Sequence, residues 1–306
     1  MTSPDDIRAA HALIAPHVRR TPLLKPGRGT FGLDHDLVLK LELLQHAGSF
    51  KPRGAFNTLL SRPVPKAGVA AASGGNHGAA VAFAAAKLGH RARIFVPEIS
   101  SPAKRALIAA CGAELVVGGA TYSEALAACD AHVAESGALS IHAYDADETI
   151  AGQGTVGLEW EADAPDLDTV LVAVGGGGLI AGIAAWYQRR VKVVGVEPET
   201  SRALAAALAA GGPVDVPVSG VAADSLGARN VFGRVHAIAS RLVDHVVLVP
   251  DTAIRAAQTR LWAETRLVAE PGGAAALAAG ASGAHTPAPR ERGGGLGWGA
   301  NNPIEA

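Results

Sequence analysis

The sequence predicts an α/β protein made of two doubly wound domains with parallel sheets, and three observations predict it. Short apolar, β-branched runs recur along the chain, alanine-rich stretches of helical period separate them, and those stretches finish at glycine. Strands that alternate with helices are joined by crossovers, which lay consecutive strands parallel. With 306 residues, 49% of them hydrophobic, the chain holds two domains' worth of sequence at ~150 residues each, and ample core.

The elements follow in order. Ser3 can N-cap a helix with Pro4 at its first position and Asp5 and Asp6 in its first turn, so the N-terminus reads as a folded helix and not as a signal peptide. The apolar run LVLKLELLQ leads into His46–Gly54, HAGSFKPRG, and the run GVAAA ends at Ser73–Gly78, SGGNHG. Strands are expected at 93–97, 113–119, 169–174, 191–198 and 244–250. Helices are expected at 78–89, 102–112 and 122–137, each closed by a glycine suited to a C-terminus. Segments 211–217 and 282–295, rich in Pro and Gly, read as surface connections.

Composition excludes several classes. Lys and Arg number 27 against 28 Asp and Glu, a net charge of −1, which argues against nucleic acid and anionic membranes as partners. Two cysteines, Cys111 and Cys129, make neither a disulfide framework nor a thiolate metal cage, and a reduced, cytoplasmic setting is expected. The uncharged stretch 169–187 is long enough for a membrane span, but four central glycines turn it into strand, tight loop and helix.

Three constellations can carry chemistry. Lys51 stands between Phe50 and Pro52, a setting for a partly desolvated amine that forms a Schiff base, although most lysines are surface residues. In SGGNHG the glycines let amides turn toward an anion at a helix N-terminus, with Ser73, Asn76 and His77 as side-chain partners; a plain capped turn is the competing reading. Gly175, Gly176, Gly177 and Gly178, between a strand and a helix, have the form of a phosphate cradle. A nicotinamide site is the rival there, with Glu197 as its acidic residue, but its fingerprint wants spaced glycines after the first strand. His142, Asp145, Asp147 and Glu148 read as a polar turn in preference to a metal cluster, and neither cysteine has the basic neighbour of a nucleophile.

Taken together, GSFKPRGA (48–55), SGGNHG (73–78), GQGT (152–155), VGGGGLIAG (174–182), VEP (196–198) and AEPGGAAALAA (269–279), with RRTPLL at 19–24, resemble the serine/threonine dehydratase family. These are pyridoxal 5'-phosphate (PLP) enzymes of the tryptophan-synthase-β-like fold, fold type II. The resemblance implies that Lys51 holds the cofactor aldehyde, Phe50 packs on its ring, Asn76 meets the ring hydroxyl and Gly175 to Gly178 hold the phosphate. It further implies that Ser73, Gly74, Asn76 and His77 receive the substrate carboxylate and that Glu270 lies near the reacting carbons. The implied division is residues 1–62 with 143–306 as a large PLP-binding domain and 63–142 as a small mobile one. The implied reaction removes water from L-threonine or L-serine, giving a 2-keto acid and ammonia, in a homodimer. Other readings are a β-replacement enzyme, an amino-acid racemase, or a PLP-binding protein without turnover.

Departures from the family pattern sharpen these expectations. Racemases of the family carry a serine at the position of Gly74, so its absence favours dehydration. Cation-activated relatives carry a carboxylate where Ala203 stands, and Glu197 alone argues against a divalent metal. The loop VAADSLGARN (221–230) departs from the usual ADG pattern. Relatives end in a β-branched strand followed by Ser or Cys against the pyridine nitrogen; here GGGLGWGANN (293–302) puts Trp298 at that place, and glycines are expected to make a poor core strand. The chain stops soon after these motifs, so no appended effector domain is expected.

Overall fold

The structure, a computed structural model, describes residues 1–286 and the strand Gly293–Gly297. Its strands are β1 (Leu23–Leu24), β2 (Leu37–Leu41), β3 (Val69–Ala72), β4 (Ala92–Val96), β5 (Glu114–Val117), β6 (Leu139–Ser140), β7 (Thr169–Ala173), β8 (Lys192–Pro198), β9 (His245–Val249) and β10 (Gly293–Gly297). They form two sheets. One has the order β1-β2-β10-β7-β8-β9, parallel except for the β1–β2 pair, and the other the order β5-β4-β3-β6, parallel throughout.

Local chemistry accounts for the helices. Ser3 and Asp6 form a reciprocal capping box on helix Pro4–Ile14. Gly89, Gly112 and Gly137, just past the helices Asn76–Lys87, Pro102–Ala110 and Tyr122–Ser136, take φ values of 74°, 84° and 70°. No helix among the described residues is long and apolar enough to cross a membrane, and 169–187 is strand β7, a turn and the wholly buried helix Gly178–Tyr187.

Close helix crossings explain one motif. At Gly152 a Cβ would lie 2.6 Å from the Arg53 carbonyl, and at Gly182 it would lie 2.5 Å from the Gly154 amide. The glycines of GQGT therefore serve contact between the helices Lys51–Ser61, Asp147–Asp163 and Gly178–Tyr187. Beside that crossing lies a dry ionic network. Arg53, fully buried, donates to both Glu42 oxygens at 2.8 Å and to Glu159 at 2.7 and 2.9 Å, while Lys40 donates to Glu159 at 2.8 Å. Each buried charge has an opposite partner, the condition for its tolerance.

One expectation is overturned. The glycine-rich stretch read as surface connection up to residue 295 enters the six-stranded sheet: Gly293–Gly297 pairs with β2 on one side and Gly293–Gly295 with β7 on the other. A parallel strand between two neighbours is held by its backbone ladder, which glycine supplies as fully as valine does. Trp298 lies outside the described residues.

Candidate active site

The sequence-predicted residues lie at the C-terminal ends of strands and the N-termini of the helices that follow. β3 delivers Ser73, Gly74, Asn76 and His77, β7 delivers Gly175 to Gly178, and Lys51 and Glu270 open the helices Lys51–Ser61 and Pro271–Ala281. Helix N-termini present free amides and a positive dipole end, so this arrangement suits anions.

A series of contacts joins these pieces. Lys51 Nζ donates to the Ala143 carbonyl at 2.8 Å and lies 5.2 Å from the centre of the Phe50 ring. Tyr144, next along, lays its ring where a side chain on Gly176 would project and its backbone against Gly178. A Cβ on Gly175 would lie 3.0 Å from Leu226, and Ser225 beside it accepts the Gly272 amide at 3.1 Å. Glu270, two residues before Gly272, extends the series to the SGGNHG turn, since its Oε1 accepts from Asn76 Nδ2 at 2.6 Å.

Burial sets the electrostatics. It lowers the Lys51 amine to about 8, so a neutral minority of roughly a tenth to a fifth exists near physiological pH, far more than for an ordinary lysine. It raises Glu270 to about 7, against the Asn76 hydrogen bond and the Lys104 charge. Burial, then the Lys51 charge, lowers His77 to about 3. His77 Nε2 is already engaged with the Ile141 carbonyl at 2.9 Å, which leaves that side chain committed to the fold and its backbone amide at the helix N-terminus.

Other candidates resolve into local structure. Glu197 is fully buried and accepts the amides of Leu204 and Ala205 at 2.8 Å, so its carboxylate caps helix Ala203–Ala210. His142 Nδ1 accepts the amides of Tyr144 and Asp145, and Asp145 accepts the Val235 amide. Among the described residues no group of three or more His, Cys, Asp and Glu could hold a metal ion. Burial raises both Cys111 and Cys129, the latter to about 11.

Three residues near the site escaped the sequence reading. Ser100 places its hydroxyl where a Cβ on Gly74 would fall. Tyr144 backs the glycine run, and Lys104, 4% exposed, pairs with Asp224. Long-range proximity carries no local signal, although an aromatic two residues past a histidine and a lysine in an apolar helix face were visible.

The chain matches the pyridoxal-phosphate dependent enzyme family over residues 14–291. It belongs to that family. The L-threonine ammonia-lyase of Geobacter sulfurreducens is 38% identical over 278 residues, 89% of this chain and 69% of that protein. The biosynthetic L-threonine dehydratase of Salmonella typhimurium is 37% identical over 84% of this chain, which spans about half, 51%, of that relative. Among solved structures, the T.th. threonine deaminase superposes with a TM-score of 0.92 at 38% identity, covering 99% of this chain and all of that one. Maize serine racemase gives 0.93 at 33% identity, covering 99% and 94%. The fold is therefore the fold type II architecture of PLP enzymes, and PLP is the cofactor of the family to which this chain belongs.

The site fits that cofactor on its own geometry. A half-buried amine is available for an aldehyde, a glycine run at a helix N-terminus for a phosphate, and Glu270 Oε2 is a buried oxygen without a hydrogen-bond partner among the described residues.

Proposed function

We propose that the chain is an ammonia-lyase that removes water from a small β-hydroxy amino acid, L-threonine or L-serine, to give a 2-keto acid and ammonia. The observation that carries this reading is the depressed Lys51 amine in one contact series with the glycine run and the Asn76–Glu270 pair. Relatives named threonine dehydratase or ammonia-lyase support it.

Pyridoxal phosphate, when bound, supplies the electron sink that stabilises a carbanion at the substrate Cα. Lys51 would hold it at the aldehyde end, Phe50 would pack on its ring, Asn76 would meet the ring hydroxyl and Gly175 to Gly178 would hold the phosphate. Lys51, freed as a neutral amine, takes the Cα proton as general base, a role that an amine near 8 performs at neutral pH. Ser73, Gly74, Asn76 and the His77 amide orient the carboxylate, which fixes the Cα–H bond toward Lys51. Glu270 sits by the reacting carbons as a group that can carry or release a proton near neutrality.

Residues 63–142, which contain β3 to β6, act in this reading as a small mobile domain over the rest. A cytoplasmic homodimer is the accompanying proposal, supported by the unpaired cysteines and by the family, and sedimentation tests the dimer.

A 2-keto acid assay with L-threonine and L-serine tests the reaction. Keto acid formed by the PLP-loaded protein and abolished in Lys51→Ala supports it, and turnover retained in Lys51→Ala overturns it. Racemisation is the second reading, favoured by the Ser100 hydroxyl beside Gly74. Chiral analysis of unreacted serine separates the two, and D-serine formed faster than pyruvate decides for racemisation.

A further inference from the structure

Space, and not backbone conformation, keeps a side chain off Gly74. Its φ lies outside the left-handed region, but a Cβ there would stand 1.9 Å from Ser100 Oγ, 2.8 Å from Ser100 Cβ and 3.2 Å from Val96 Cγ1. The Ser100 hydroxyl therefore fills the place that a side chain at 74 would take. It comes from a different strand, since Ser100 lies in the loop between β4 and helix Pro102–Ala110, and its amide fixes the loop by donating to the Pro97 carbonyl at 3.0 Å. Ser100 is half-buried, and its hydroxyl makes no hydrogen bond among the described residues.

That loop stands where the two sheets face each other. Gly75 looks toward the short helix Ala223–Leu226, with the Asp224 carbonyl 3.9 Å from where its Cβ would be. Lys104, in the first turn of helix Pro102–Ala110, pairs with the Asp224 carboxylate. Segments 73–78, 100–104 and 223–226 thus converge, and the first of them is the turn whose amides suit an anion. Ser73 Oγ accepts the Gly75 amide at 3.2 Å, which leaves its own proton to donate. Ser100 brings a second hydroxyl proton to the same turn, on the side that Gly74 leaves bare.

We propose that Ser100 is a substrate-binding residue, which donates its hydroxyl proton to the substrate carboxylate at the Ser73–His77 turn, and that the bare Gly74 is what admits it. A hydrogen bond to an ionised carboxylate is charge-assisted and stronger than one between neutral groups. The inference rests on the proposed placement of the carboxylate at that turn, while the packing of Ser100 on Gly74 is a property of the chain alone.

The carboxylate is the handle for a test. L-alanine has no β-hydroxyl to eliminate, and ethylamine is L-alanine without its carboxylate. Ser100→Ala weakens the binding of L-alanine about tenfold and leaves that of ethylamine within about twofold. Gly74→Ala gives the same selective loss with Ser100 still in the chain, because the new methyl displaces the hydroxyl. Gly74→Ser combined with Ser100→Gly clears the Ser100 Cβ, returns a hydroxyl to the turn from β3, and restores L-alanine binding to within about threefold of wild type.

The experiment is an absorbance titration of the PLP-loaded protein with each ligand, at one pH and one ionic strength, in which a retained visible band shows that the variant is folded and loaded. Loss selective for L-alanine in Ser100→Ala, with recovery in the exchanged pair, supports the proposal. Equal losses for the two ligands, unchanged L-alanine binding, or no recovery in an exchanged pair that holds its cofactor overturns it. If the exchanged pair does not hold the cofactor, Ser100→Ala and Gly74→Ala carry the test. Absence of keto acid from L-threonine would defeat the proposed reaction, whereas these titrations judge Ser100 without reference to turnover.

Discussion

Replacing Gly176 by alanine tests why the glycine run is glycine. The φ angle of Gly176 lies outside the left-handed region, so an alanine backbone is tolerated and the objection is spatial. The new methyl would project into the Tyr144 ring. That ring is held by three contacts: its hydroxyl donates to the Asn230 carbonyl at 3.1 Å, it stacks on Phe232 at 5.7 Å and 9°, and its backbone packs on Gly178. Restoring an ordinary carbon–carbon separation of about 3.5–4.0 Å requires more than ~1 Å of movement. Overpacking of that kind costs about 1–3 kcal/mol. Urea denaturation of the apoprotein reads the part of the strain borne by the fold. Absorbance titration with pyridoxal phosphate reads the part borne by the phosphate cradle, where the same energies weaken binding roughly 5- to 150-fold. Tyr144→Ala in the Gly176→Ala background removes the collision and recovers most of the loss, a coupling of about 0.5–3 kcal/mol. Wild-type stability together with wild-type cofactor affinity in Gly176→Ala would refute the reasoning.

Further outcomes follow from the buried charges. Arg53→Met strands Glu42 and Glu159 without their shared cation and lowers the unfolding free energy by about 3–5 kcal/mol in urea, and Arg53→Lys does not restore it because the fork is lost. Lys51 gives the apoprotein a pH dependence of known sign. Between about 8 and 10.5 the unfolded chain keeps a proton that the folded amine has shed, so the penalty on the folded state is present below 8 and relieved as pH rises through that window. The relief approaches roughly 3 kcal/mol, and the stability difference between wild type and Lys51→Met, measured by urea from pH 7 to 11, shows it as a rise. Glu197→Gln weakens the cap on helix Ala203–Ala210 and lowers stability by about 1 kcal/mol, measured the same way, while keto acid formation persists without added divalent cation.

Much of the fold was legible because its signals are local. The Ser3–Asp6 box, the glycines after the three helices of the four-stranded sheet and the β-branched runs each depend on a few consecutive residues. Strand β10 escaped because sequence patterns register side chains, and Gly293–Gly297 is held through backbone pairing with β2 and β7. At the site, Lys51 and the glycine run announced themselves by unusual neighbours. Ser100, Lys104 and Tyr144 did not, since their meaning lies in residues far along the chain: Gly74, Asp224 and Gly176. His77 was legible as a site residue, yet only the fold reveals that its ring is committed to Ile141.

The central claim is that Lys51 carries the cofactor. Borohydride reduction of the protein loaded with pyridoxal phosphate, followed by peptide mapping, tests it most directly. The account predicts a visible absorption band that reduction abolishes, with the cofactor fixed on the peptide containing Lys51 and on no other lysine. Fixation at a different lysine, or a protein that binds no cofactor at all, would contradict it.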